Sequence, residues 1–268
     1  MSFEMGPALL FCPADRPDRY AKAAERADAV IIDLEDAVAP QDRVLARAAL
    51  VQSRLNPART IVRVNQVDSP DFSLDLAALD ETLYRTVMMP KAERVEDAEA
   101  LAPYEVVALC ETAAGVLGAA EIAAAPNVVA LMWGAEDLIA SLGGSSSRFA
   151  DGSYRSVARH ARSQVLLAAG ARGKAAIDSV FLAIPDLAGL VSEAEDAVAS
   201  GFAATACIHP GQVPVIRTAY QPTDAEVAYA WAILEASTSE HGVFQYQGRM
   251  IDGPLLRHAE ALLRRAGR

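Results

Sequence analysis

Eight short, almost continuously apolar runs are spaced along the chain up to Pro210, and alanine-rich helical stretches separate them. The runs cover residues 8–12, 29–32, 60–64, 86–89, 106–110, 128–133, 175–180 and 203–208. Between them lie helical stretches at 17–26, 41–50, 74–83, 95–101, 116–124, 154–169 and 187–200. A strand with one wet face alternates apolar and polar residues; a strand buried on both faces does not. Runs without alternation, seven of them separated from the next by a helix, predict parallel strands under a helical layer. Eight such units within roughly 200 residues match a (β/α)₈ barrel, the TIM-barrel architecture. A doubly wound open sheet is the rival. It calls for a glycine-rich turn after the first strand, and Pro13-Ala14-Asp15-Arg16 contains no glycine.

Two segments lie outside the repeat. Residues 143–147 read Gly-Gly-Ser-Ser-Ser, a loop composition that also makes 134–153 a connection between the sixth run and its helix. The tail is longer than a closed barrel requires. It contains a helical stretch at 224–237, a turn-rich piece at 241–254 and a helix at 255–265. The expected organisation is a barrel at 1–211 and a C-terminal helical extension at 212–268, which wraps its own barrel or reaches a neighbouring subunit.

Net charge is −11, a poor electrostatic match for nucleic acid or an anionic membrane. No apolar run approaches membrane-spanning length, and the first six residues hold Glu4 and no Lys or Arg, so neither a span nor a secretory leader is expected. Cys12, Cys110 and Cys207 each sit in an apolar run without CxxC spacing, which suits buried thiols in a reducing cytoplasm and not zinc.

In a barrel of this kind the chemistry sits at the C-terminal strand ends. The polar residues that end the runs are Asp33, Glu35 and Asp36; Arg63 and Asn65; Lys91; Glu111; Asp137; Asp178; and His209. One polar strand end is ordinary, but the whole set converges on one mouth. Packed carboxylates raise one another's pKa unless a cation neutralises them. With oxygen donors and no His or Cys cluster, Mg²⁺ is the expected ion, held by one or two carboxylates. Glu111 and Asp137 end adjacent strands and are the candidate ligands; a salt bridge is the alternative for either alone. Arg63 is the candidate grip for a substrate carboxylate, because its planar fork matches that group. Gly134 and Ala135 offer backbone N–H groups to the same anion, or form a tight turn. Arg16, Arg19 and Lys22 make a basic patch that is a solvated helix face or a phosphate clamp.

At these positions the chain resembles the citrate lyase β-subunit-like (CitE-like) proteins of the HpcH/HpaI aldolase superfamily. The stretches that carry the resemblance are Leu10-Phe11-Cys12-Pro13, Ile32-Asp33-Leu34-Glu35-Asp36-Ala37-Val38, Val62-Arg63-Val64-Asn65, Met89-Pro90-Lys91, Leu109-Cys110-Glu111-Thr112, Trp133-Gly134-Ala135-Glu136-Asp137-Leu138, Ile208-His209-Pro210 and Met250-Ile251-Asp252-Gly253-Pro254. The resemblance implies a Mg²⁺-dependent carbon–carbon lyase. Its substrate would be a 3-hydroxy-3-carboxyacyl thioester of citramalyl, malyl or citryl type, usually carried on coenzyme A. It implies metal on Glu111 and Asp137, the substrate carboxylate on Arg63, Glu35 and Asp36 beside the metal, and Arg63 and Glu35 among the catalytic groups. It also implies a carrier contact from Pro13 through Arg16 to Lys22. A trimeric or hexameric assembly is implied, with Asp252 acting as acid in a neighbour's site. Ala204-Thr205 stand where many relatives have Gly-Lys, which bears on the substrate and not on the fold. A thioester hydrolase, a class II aldolase acting on pyruvate and a non-catalytic assembly subunit are the other activities open to this scaffold.

Overall fold

The structure is a computed structural model describing residues 3–239 and 242–267. The repeat unfolds in order as β1 (Ala8–Pro13), α1 (Pro17–Arg26), β2 (Ala29–Asp33), α2 (Arg43–Gln52), β3 (Thr60–Arg63), α3 (Phe72–Asp80), β4 (Thr86–Met89) and α4 (Val95–Glu99). It continues through β5 (Glu105–Cys110), α5 (Ala113–Ile122), β6 (Val128–Trp133), α6 (Ala135–Ser141), α7 (Ser156–Ala171), β7 (Ala175–Asp178), α8 (Leu187–Ser200) and β8 (Ala204–Cys207). The eight strands form a closed barrel in chain order, and parallel pairing of β1 with β8 closes it. That pairing excludes the open doubly wound sheet.

The lack of alternation in the runs follows from two buried phases. Leu9, Ile31, Ile61, Val107, Met132 and Ile177 belong to one cluster inside the barrel. Their neighbours Leu10, Val30, Ile32, Val62, Val106 and Leu131 are just as buried. These residues lie in the opposite phase of the strands, the one that faces the helices. Helix ends carry local signals. Thr112 starts α5 by accepting a hydrogen bond from the Gly115 N–H at 3.0 Å. Gly201 stops α8 in the left-handed conformation at φ 106, where glycine pays no Cβ penalty.

The structure differs from the sequence reading at several points, among them a helix at Val213–Tyr220 that the reading did not place. The connection after β6 is not all loop, because α6 occupies seven residues, Ala135–Ser141, directly after Gly134. Glu136 and Asp137 in its first turn favour a helix start, since acidic side chains complement the N-terminal dipole. Helix α7 begins at Ser156, two residues later than expected, and Tyr154 instead packs edge-on against Trp133 with ring centroids 5.2 Å apart. The turn-rich tail piece contains a hairpin, described below.

The chain divides into two compact units, Met1–Ile216 and Arg217–Arg268, with the boundary inside α9 (Val213–Tyr220). The second unit contains α10 (Asp224–Ala236), β9 (Phe244–Tyr246), β10 (Arg249–Ile251) and α11 (Gly253–Arg265). A reciprocal Thr223–Glu226 capping box starts α10. Val227, Ala230, Ile233, Ile251, Ala259 and Leu263 form this unit's own core. The β9–β10 hairpin turns through Gln247 and Gly248, both at positive φ, as a two-residue type I′ turn requires. Strands of three residues are too short to show a period, so composition alone suggested only turns. His241 lies outside the described residues. Among the described residues, no helix is long and apolar enough to cross a membrane.

Candidate active site

Extending the interior phase of each strand by two residues gives the site. On β2 the inward line Ala29, Ile31 continues to Asp33; on β3 Ile61 continues to Arg63; on β5 Val107, Leu109 continue to Glu111; on β6 Ala130, Met132 continue to Gly134. These line a cavity of about 420 Å³ at the C-terminal mouth, together with Phe11, Pro13, Asp36, Ala135, Asp137, Ser179 and Ile208.

Asp33 and Arg63 are register partners on neighbouring strands. Arg63 Nε donates to Asp33 Oδ1 at 2.7 Å and Nη2 donates to Oδ2 at 2.6 Å. The Nε–Nη2 edge of the guanidinium fork is therefore held by Asp33. Asp33 also accepts from the backbone N–H groups of Glu35 and Ala37, so it fixes the loop after β2 as well. The Arg63 Nη1 corner lies 3.1 Å from Glu35 Oε2, and the guanidinium stands 5.0 Å from the Phe11 ring centroid. Burial alone would lower the pKa of Arg63, but the hydrogen bonds and charge of Asp33 outweigh it and hold the cation firmly charged.

Glu35 is buried and does not line the cavity. Its Oε1 accepts from Lys91 Nζ at 2.7 Å, while its buried Oε2 has no hydrogen-bond donor. Burial raises its pKa, opposed by Arg63 and Lys91. This places Glu35 as a group that holds two cations, a different position from the reacting one expected of it. Asn65 donates to the Leu34 carbonyl and to buried Asp75, supporting the same loop from behind.

Glu111 is 3% exposed, and its Oε1 accepts the Lys91 backbone N–H at 3.1 Å. Cys110 pairs with Trp133, so Glu111 and Gly134 face each other one step beyond the ladder. A Cβ on residue 134 would stand 2.7 Å from Glu111 Oε2, so the glycine makes room for the carboxylate. Gly134 is also the N-cap of α6, with ordinary extended backbone. Burial first, then the nearby Asp137 charge, pushes the Glu111 carboxyl up to about 8. Asp137, in the first turn of α6, is 41% exposed and open to the mouth.

Five carboxylates (Asp33, Glu35, Asp36, Glu111 and Asp137) thus surround two cations, Arg63 and Lys91. A further cation would relieve this excess. Among the described residues no group of three or more His, Cys, Asp or Glu side chains is placed to hold a metal. A two-carboxylate seat does suit Mg²⁺, which completes its shell with water and substrate. The room that Gly134 leaves for the Glu111 carboxylate fits that seat too.

Other expected positions fall elsewhere. Arg16 and Lys22 are exposed on or beside α1 and outside the cavity lining; Arg16 lies 3.8 Å from Asp15. Asp178 is one residue out of phase with the mouth. It binds Arg162 and the Trp133 indole N–H (2.6 Å) on the helix side of the barrel. His209 is exposed, and its Nδ1 caps the turn at Gly211. Ala204 and Thr205 are buried in β8 and do not line the cavity. Asp252, in the second unit, caps α11 by accepting from the Leu255 N–H at 3.3 Å. Asp33 and Lys91 stood among the run-ending residues, but no role was expected of them. For both, the signal was the strand-end position; their partners came only from the structure.

The model of the HpcH/HpaI aldolase/citrate lyase family matches residues 8–210. A citrate lyase subunit beta-like protein of Mycobacterium tuberculosis is 57% identical over 98% of this chain and 96% of its own length. A (3S)-malyl-CoA thioesterase of Cereibacter sphaeroides is 34% identical over 91% of this chain and 89% of its own. Human mitochondrial citramalyl-CoA lyase is 30% identical over 94% and 83%. The crystal structure of protein CitE from M. tuberculosis in complex with magnesium, acetoacetate and coenzyme A superposes with a TM-score of 0.94. It is 56% identical and covers 99% of this chain and 100% of that one. With its closed barrel and acidic mouth, the chain belongs to the HpcH/HpaI aldolase/citrate lyase family.

Proposed function

We propose that the chain is a cytoplasmic, Mg²⁺-dependent carbon–carbon lyase. It cleaves a 3-hydroxy-3-carboxyacyl thioester of coenzyme A into an acetyl thioester and a 2-oxo acid. The observation that carries this reading is the convergence of Glu111, Asp137, Arg63 and the Gly134-Ala135 backbone on one cavity. The magnesium, acetoacetate and coenzyme A in the M. tuberculosis structure support the same ligand classes.

Glu111 and Asp137 would hold the ion, which when bound supplies Lewis-acid polarisation of the substrate oxygens. Arg63, fixed on one edge by Asp33, turns its Nη1 corner, which also faces Glu35, to the substrate carboxylate. The N–H groups at the start of α6 address the same anion. Asp36, at the rim, flanks the metal. Pro13 lines the mouth on the β1 side, from which Arg16 and Lys22 meet the phosphates of the carrier. A base takes the hydroxyl proton, the C3 oxygen becomes the carbonyl of the 2-oxo acid, the bond between C2 and C3 breaks, and its electron pair passes to the thioester as an enolate. Asp252 of another copy returns a proton to C2, in a trimer or hexamer.

The thioesterase among the relatives favours a second reading, hydrolysis on the same scaffold. Incubation with Mg²⁺ and citramalyl-, malyl- or citryl-CoA distinguishes the two. The lyase gives acetyl-CoA and an oxo acid, and Asp137→Ala abolishes it. Release of the intact hydroxy acid, or lyase activity surviving in Asp137→Ala, refutes this assignment.

A further inference from the structure

Lys91 has a two-sided relation to the proposed metal seat. Its backbone, at φ 48 just beyond β4, donates to Glu111. Its ammonium lies among four carboxylates: 2.7 Å from Glu35 Oε1, 3.6 Å from Asp137 Oδ1, 3.7 Å from Asp36 Oδ2 and 3.8 Å from Glu111 Oε1. Only the Glu35 contact is a hydrogen bond. The other three are charge contacts beyond that range, so the ammonium is shared and not committed to Glu111 or Asp137. Its side chain is 23% exposed, which leaves limited solvent to screen it.

An ion held by Glu111 and Asp137 would draw on two of the four carboxylates that share the Lys91 ammonium. A dication in that seat and the ammonium would repel each other while drawing on the same carboxylates. We propose that Lys91 is the resident counter-ion of the metal seat: it neutralises the carboxylates in the metal-free protein and competes with the incoming ion, withdrawing onto Glu35 and Asp36 as the ion enters. The inference rests on the proposed Glu111–Asp137 seat. It differs from a simple strut role, in which Lys91 would serve only to hold Glu35. A strut that is removed leaves metal binding unchanged or weaker; a competitor that is removed makes it tighter.

The test is calorimetric Mg²⁺ titration of EDTA-stripped wild type, Lys91→Met, Lys91→Arg and Asp137→Ala, with thermal melts in EDTA and in Mg²⁺. Lys91→Met should bind Mg²⁺ at least about tenfold more tightly than wild type. It should melt lower in EDTA and gain more from Mg²⁺. Lys91→Arg, which keeps the charge, should stay near wild type. If Lys91→Met does not remain folded in EDTA, Lys91→Gln carries the same expectation. Equal or weaker Mg²⁺ binding in the folded neutral variant, with wild-type binding lost in Asp137→Ala, overturns the counter-ion role alone. Absent wild-type binding, or binding that survives Asp137→Ala, overturns the seat and the inference together.

Discussion

Gly134→Ala adds one methyl group at the point where β6 faces Glu111. The added Cβ would lie 2.7 Å from Glu111 Oε2, 2.8 Å from its Cβ and 3.6 Å from its Cδ. Real Cβ contacts essentially never fall below 3.0 Å, so something must move. The backbone at 134, φ −126 and ψ 123, is open to alanine, so the whole cost comes from the contact. Rotating the carboxylate away does not relieve it, because the Glu111 Cβ is fixed to the end of β5. The strand ends must separate, at an overpacking cost of about 1–3 kcal/mol. In a chain of this size each kcal/mol lowers Tm by about 2–4 °C. The larger effect falls on the metal. A displaced ligand environment typically costs roughly 10–100-fold in affinity. Calorimetric Mg²⁺ titration reads that loss, and a melt in EDTA reads the packing cost separately. A folded Gly134→Ala variant with wild-type Mg²⁺ affinity would refute the reasoning that Gly134 exists to seat Glu111.

Arg63→Lys keeps the charge but cannot hold Asp33 through two hydrogen bonds and reach substrate as well; loss of one charge-assisted hydrogen bond predicts a kcat/KM drop of roughly ten- to a hundredfold. Wild-type kinetics would remove Arg63 from the site. Because the metal-free Glu111 carboxyl is raised to about 8, chiefly by burial, Mg²⁺ must displace its proton at pH 7. Apparent affinity should rise with pH towards 8 and level off above it, and titrations in buffers of different ionisation enthalpy should show proton release; none would contradict the burial argument. The same raised pKa means that metal-free stability falls as pH climbs from about 4.5 to 8, since the folded state then binds more protons than the unfolded one. Mixing inactive Asp252→Ala chains with inactive Asp137→Ala chains after dissociation and reassembly should restore partial activity if acid and metal come from different subunits. Verified reassembly with no activity would rule out a shared site.

The barrel was legible from the chain because its evidence is local. A strand buried on both faces has to be apolar at every position, and a helix must follow to return the chain to the same end; both show in the order of residues. The strand-end rule then brought Glu111, Asp137 and Arg63 to one mouth. It could not tell inward from outward at a single step, which is how Asp178 was counted with the mouth although it turns to Arg162 on α7. The partners were not legible either. Glu35 and Lys91 are 56 positions apart and Asp33 and Arg63 are 30 apart, and no local pattern sets the 2.6–2.7 Å contacts between them. Strand register puts Asp33 opposite Arg63, and the left-handed backbone at Lys91 accompanies its approach to four carboxylates. Sequence alone determined the fold and the kind of groups at its mouth, because period and order are properties of neighbours along the chain. Only the tertiary structure decided which cation neutralises which carboxylate, because charges pair by distance in space and the closure of the barrel sets those distances.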